Sequence, residues 1–336
     1  MRTFNHILDN LWSHVGDIVL AVAIAVIVSQ AAQALTMEDR SSKSTNDQCS
    51  LALVTASAGK TNVCDEKTVR ARAAGGHVFE QNQMGIASVL AIGPDFTVND
   101  AVNWFEKAAR QGYAPAQVNL AVIYANGWGT QQNYGAALHW LHEAAAQKYP
   151  RAYYNLGVLY LGGKGVRQDY AEALRWFRLG AEAGDSAAQT NLAYLYDRGL
   201  GVGVDAKMAA EWYRKAVEQG DPLAENNLAD MYVHGQGVEQ NDRAAFELFR
   251  KAADQGHTGA RIQLAYLYAL GRGTSRDLES AYAWVSSAVA AGDNRGKELL
   301  NALQTQLKDE EQKRAEVRAR EMKTATARVP VNAFQP

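Results

Sequence analysis

Cysteine is nearly absent from this chain: two residues, Cys49 and Cys64, in 336. A surplus of positive charge is absent too, with 34 Lys and Arg against 36 Asp and Glu and a net charge of −2. Nucleic-acid binding needs a basic excess gathered on one face, so that class of partner is not expected. Long apolar runs are missing as well. The longest strictly apolar stretch, residues 18–28, has 11 residues, short of the roughly 20 that span a bilayer and of signal-peptide size.

That stretch still sets the N-terminus apart. No charge occurs between Asp17 and Glu38, and Ala32-Gln33-Ala34 fits a small-x-small cleavage pattern. Against cleavage, the preceding segment is long and nearly neutral, with Arg2 opposed by Asp9 and Asp17. Two main readings stand: a signal peptide over residues 1–35 cut near Ala34, or an uncleaved anchor extended through Leu35. A buried soluble helix is a third. The first two place residues 36–336 outside the cytoplasm, periplasmic or secreted if cleaved and membrane-anchored if not, with membrane contact only through the apolar segment. Cys49 and Cys64 follow in a polar linker, residues 36–76. They read as two unrelated thiols or as a disulfide in an oxidising compartment, where closing a loop of about 15 residues would constrain the unfolded chain by roughly 3 kcal/mol.

From residue 101 the sequence repeats every 36 residues. Alanine recurs at Ala101, Ala137, Ala173, Ala209, Ala245 and Ala281. Three positions on stand Trp104, Trp140, Trp176, Trp212, Leu248 and Trp284, then Phe105, Leu141, Phe177, Tyr213, Phe249 and Val285. Small residues follow at Ala108, Ala144, Gly180, Ala216, Ala252 and Ala288, and glycine closes the pattern at every copy except Lys148. Spacing of i, i+3, i+4 and i+7 with a terminal glycine predicts an amphipathic helix and its C-cap, here called helix A. A second stripe, Ala116–Leu120–Tyr124 and its copies, predicts helix B, which ends in paired glycines such as Gly163 and Gly165. The large columns, Trp104 and Tyr124, are expected to fill the space between helices. Asp169 is expected to cap the helix that follows the glycines.

A pattern such as AEWYRKAVEQGDPLAENNLADMYVHGQGV resembles the Sel-one-like repeat (SLR) family, a relative of the tetratricopeptide repeats. The resemblance covers about residues 97–300. It implies an all-α fold, an α/α solenoid of antiparallel helix pairs in a right-handed superhelix. The solenoid is expected over residues 77–303: a half-unit over 78–100, units starting at 101, 137, 173, 209 and 245, and a partial unit from 281. Residues 304–336 read as a charged, solvated helix and a disordered tail. An asparagine column at Asn119, Asn155, Asn191 and Asn227 is expected to bond neighbouring backbone.

Chemistry is sparse. The glycine pairs follow helix ends rather than opening helices after strands, which excludes a phosphate cradle. Ser57–Thr61 (SAGKT) lacks a first phosphate-loop glycine, since position 54 is valine, and the S-x-x-K at Ser57–Lys60 has no K-T-G partner. His139 and His142 stand i, i+3, but their columns elsewhere hold solvent-type residues, so no metal is assigned. No catalytic or cofactor residue emerges. What varies over the constant scaffold is the exposed face of helix A: Asn103, Glu106, His139, His142, Arg175, Arg178, Glu211, Arg214, Glu247 and Arg250. In solenoids such faces line extended binding surfaces. The expected function is a non-enzymatic, extracytoplasmic scaffold for a protein or peptide partner, an adaptor or assembly factor at the cell envelope. The alternative is a cell-wall ligand-binding or β-lactamase-like enzyme. The cysteine-rich relatives that suggest it carry cysteines within each repeat, and this chain has none there.

Overall fold

The computed structural model describes residues 49–51, 62–89 and 97–328. The apolar N-terminal segment, the cysteine side chains and the last eight residues lie outside the described residues. The chain divides into two compact units, one running to Gly180 and one from Ala181.

In the first unit, β1 (Cys49–Leu51) and β2 (Asn62–Cys64) pair in parallel. They lead into α1 (Glu66–Ala74), within the segment that the sequence reads as linker. The Asp65 side chain caps this helix through Thr68 N, and Val69 and Ala73 are buried in the core. The packed array therefore starts before the periodic sequence does. Next come α2 (Val78–Val89), α3 (Val98–Arg110), α4 (Ala114–Asn126), α5 (Tyr134–Ala146), α6 (Pro150–Gly162) and α7 (Tyr170–Glu182). The second unit holds α8 (Ser186–Arg198), α9 (Ala206–Glu218), α10 (Pro222–His234), α11 (Asp242–Asp254), α12 (Thr258–Leu270), α13 (Leu278–Ala290), α14 (Lys297–Gln304) and α15 (Asp309–Arg328). Within each unit helices alternate as A and B and consecutive helices pack as pairs, the arrangement of an α/α solenoid.

The helices start where a side chain can satisfy the first free amides. Thr97, Asn133, Asp169, Asp205, Asn241 and Asp277, 36 residues apart, all accept from backbone N–H groups of the first turn of helix A. Asp169 does so through Ala171 N and Glu172 N, as the sequence predicts. Helix B ends at a glycine in the left-handed region. Gly163 has φ 63° and its N–H bonds to the carbonyls of Leu159 and Tyr160. The chain then returns so that Asp169 N reaches the Tyr160 carbonyl at 3.0 Å. Gly165, at φ 72°, lies against Tyr134 so closely that a Cβ would overlap it. Both the backbone angle and the close approach thus demand glycine there. The paired glycines are joints between helices. At the end of helix A the left-handed residue is glycine except for Lys148, which holds φ 61° with a side chain in place.

The core follows the columns with one difference. Phe105, Leu141, Phe177, Tyr213, Phe249 and Val285 are almost wholly buried, each stabilising by about 2 kcal/mol. Trp104, Trp140, Trp176, Trp212 and Tyr124 are only half-buried, at the border between core and solvent. Tyr124 shows why: its hydroxyl stays at the edge to donate to Glu106 at 2.8 Å. The asparagine column is mixed. Asn155 and Asn191 donate to the carbonyls of Arg151 and Ala187, but Asn119 donates to Asn82 and Asn227 to the Tyr213 hydroxyl.

A second polar series stitches the helix ends together. Gln81, Gln117 and Gln189 on helices B each donate to a carbonyl eight residues back: Ala73, Ala109 and Ala181. Each also accepts, from Gln111, Gln147 and Gln219 respectively, at 2.8–2.9 Å. The charged C-terminal helix α15 is not solvated all round. Ala315 and Ala319 are buried against the second unit's core, and Arg314 grips Glu279 of α13 through two bonds.

Candidate protein-interaction surface

In the first unit the exposed columns of helix A contain Asn103, His139 and Arg175, and Glu106, His142 and Arg178. All are exposed except Glu106, which is half-buried. Glu106 is already engaged: it accepts from Tyr124 and pairs with Arg110 at 3.1 Å. Burial, followed by this bond, pushes the Tyr124 hydroxyl up to about 12. Glu106 is therefore part of the packing as much as of the surface.

The imidazoles lie beside the tryptophan column. His139 tilts on Trp140 at 5.1 Å, and His142 meets the edge of Trp176 at 5.8 Å. Tyr153 stacks on Trp176 at 6.0 Å, while the Arg175 guanidinium sits over the same indole at 5.4 Å. The Trp176 Nε1–H is buried and unpartnered. Lys107 covers Trp104 at 4.4 Å. The face is a set of half-buried rings dressed with cations, at which each cation gains about 0.5–1 kcal/mol.

In the second unit Glu211 and Arg214 are exposed, and Lys215 lies 3.7 Å over the Trp212 ring. Glu247 and Arg250 pair at 2.6 Å, and Arg250 also reaches over Phe246. Here the acidic and basic columns partly neutralise each other along the helix. Of the ten residues expected from the sequence, eight are exposed, while Glu106 and Glu247 are half-buried and already bonded within the fold. The sequence reading misses the lysines at Lys107 and Lys215 as ring covers, although each stands three residues after a tryptophan. Among the described residues, no three metal-capable side chains form a group, and no helix is long and apolar enough to cross a membrane.

Paired helices with capped, identically spaced turns and a variable outer face define an α/α repeat scaffold. The Sel1 repeat profile matches residues 95–113, 114–149, 150–185, 186–221, 222–257 and 259–293, and the chain belongs to that family. Its units begin at helix B, a shift in phase from units counted at helix A. A Sel1 repeat protein from Oxalobacter formigenes is 31% identical with a TM-score of 0.63, over 71% of this chain and 69% of that one. The protective antigen c5321 of uropathogenic Escherichia coli, which displays an SLR fold, is 29% identical with a TM-score of 0.47, over 80% of this chain and 67% of that one. A Sel1 repeat protein from Klebsiella pneumoniae is 21% identical with a TM-score of 0.42, over 60% and 99%. No curated protein sequence matches the chain. Sel1 repeat proteins are typically protein-interaction scaffolds and generally non-catalytic.

Proposed function

We infer that this chain is a non-enzymatic, extracytoplasmic scaffold that holds a protein or peptide partner on the outward face of its A helices, as an adaptor or assembly factor at the cell envelope. The observation that carries the reading is the contrast between columns. Ala101, Ala137 and Ala173 are identical and fully buried. Asn103, His139 and Arg175, two residues on, are exposed and all different. Selection for solubility alone would be met by any charged residue; a specific partner needs different side chains at successive turns. Location outside the cytoplasm is supported by the uncharged stretch between Asp17 and Glu38.

Capture of partners from cell extracts tests this. Wild type is compared with Arg175→Glu/Arg178→Glu in the first unit and with Arg214→Glu in the second. Loss of specific partners in at least one variant, with folding intact by circular dichroism, supports the reading. Identical partners in all three contradict it. Mass spectrometry of the mature N-terminus tests location: a start at Leu35, or Met1 retained in membranes, agrees with it, and Met1 in the soluble cytoplasmic fraction opposes it.

A further inference from the structure

The glutamine series has an acid in it. At the position of Gln81, Gln117 and Gln189, α10 carries Glu225, only 3% exposed. Its Oε2 accepts from Gln255 Nε2 at 2.8 Å, just as Gln117 accepts from Gln147. The donating half of the pattern is what a carboxylate cannot supply. At Gln81, Gln117 and Gln189 a side-chain N–H reaches the carbonyl eight residues back, and Arg261 does the same to Ala253 at 3.2 Å; Tyr153, at this position in the remaining copy, has no N–H to give. The matching carbonyl here is Val217, in the last turn of α9. Like Ala109 and Ala181, it already accepts from the left-handed glycine that follows, Gly220. It also receives the Gln219 N–H, as the Ala109 carbonyl receives that of Gln111, and at Ala109 the Gln117 amide adds a further bond. From Glu225, only a protonated carboxyl offers such a donor.

We propose that Glu225 is a proton-operated clasp in the second unit. Neutral, it replaces the glutamine of the series, bonding Gln255 and the Val217 carbonyl together. Ionised, it leaves that carbonyl without its side-chain donor and holds a negative charge in the packed interface between α9, α10 and α11. The proton comes from and returns to solvent, and no other bond changes.

The charged surroundings agree with this. Asp221 at the head of α10 and Asp254 in α11 oppose ionisation, while Lys251 of α11 and the Gln255 bond favour it. Arg261 of α12 acts on Asp254, and Asp185, before α8, acts on Asp221. Lys215 in the last turn of α9 is exposed over Trp212. Burial prevails, and the Glu225 carboxyl is pushed up to about 7. A carboxyl raised in the folded state contributes stability that is fully present below its ordinary value of 4.5 and lost as pH rises through about 7.

The test is thermal unfolding of the full chain, wild type against Glu225→Gln, from about pH 4 to about pH 8. Glutamine supplies the donor at every pH. The melting temperatures should nearly coincide at the acid end, and the variant should exceed wild type by roughly 3–6 °C at the alkaline end. A difference that does not change with pH overturns the proposal. Gln189→Glu should create the same alkaline loss at the equivalent position. Should Glu225→Gln fail to fold, the wild-type carboxyl decides by 13C shift: a midpoint near neutrality supports the clasp, and one near 4.5 overturns it.

Discussion

Gln147, the C-cap of one A helix, donates to Gln117 on the preceding B helix at 2.8 Å, across 30 residues of sequence, while Gln117 donates onward to the Ala109 carbonyl. This pair fastens three helix ends with side chains that are otherwise surface residues. Gln117 is 3% exposed, so removing it takes one bond from the Ala109 carbonyl, which keeps the Gly112 N–H, and leaves the Gln147 amide only its longer bond to the Glu143 carbonyl at 3.4 Å. Gln117→Ala should cost about 1–2 kcal/mol in chemical denaturation. A loss below a few tenths would mean the series is incidental to stability.

Lys148 and Gly112 occupy equivalent turns, at φ 61° and 84°. A left-handed conformation costs an L-residue roughly 1–2 kcal/mol, partly offset by glycine's freer unfolded chain. Lys148→Gly should therefore stabilise the first unit by about 1 kcal/mol, read as an increased denaturation midpoint with an unchanged slope.

Gly157 sits in α6 beneath the fully buried Phe177. A Cβ there would come within 2.6 Å of the ring. Gly157→Ala gains helix propensity but overpacks this site, and a net loss of about 1–3 kcal/mol is expected from the denaturation midpoint. Stabilisation by the variant would show that the ring can move aside.

His257 caps α12 by accepting from Ala260 N through Nδ1 at 3.0 Å, a role that requires the neutral ring. Burial, then the Arg295 charge, holds its imidazole below the ordinary 6.5, against a smaller opposing effect of Asp293. For a base held low, the stability is present above 6.5 and lost as pH falls below it. The equivalent positions are Asp185, Asp221 and Asp293, which accept as carboxylates. His257→Asp should thus reduce the loss of stability between about pH 6.5 and pH 5, measured by melting temperature. An unchanged acid slope would place that sensitivity elsewhere.

The repeat was legible because its causes are local and recur. Glycine at position 163 and aspartate at 169 each carry a backbone requirement that reads the same in any copy. Helix α1 was not legible, because EKTVRARAA offers only Val69 and Ala73 as buried contacts and has no second copy for comparison. The packing of α15 depends on two alanines, Ala315 and Ala319, amid charges that dominate its composition. The glutamine series has the same period as the apolar columns. Its meaning depends on two helix ends meeting across 30 residues, which spacing alone does not reveal. The same limit applies to the surface: exposure of His142 follows from its column, but its contact with Trp176 depends on how α5 and α7 lie side by side.

The most direct measurement of the central claim is site-specific photo-cross-linking in cells. A photoreactive phenylalanine analogue is placed at Asn103 and His139 on A helices and at Tyr194 and Gln263, exposed positions on B helices. The account predicts discrete protein adducts from Asn103 or His139 and none, or far fewer, from Tyr194 and Gln263. Adducts confined to Tyr194 and Gln263 would contradict it.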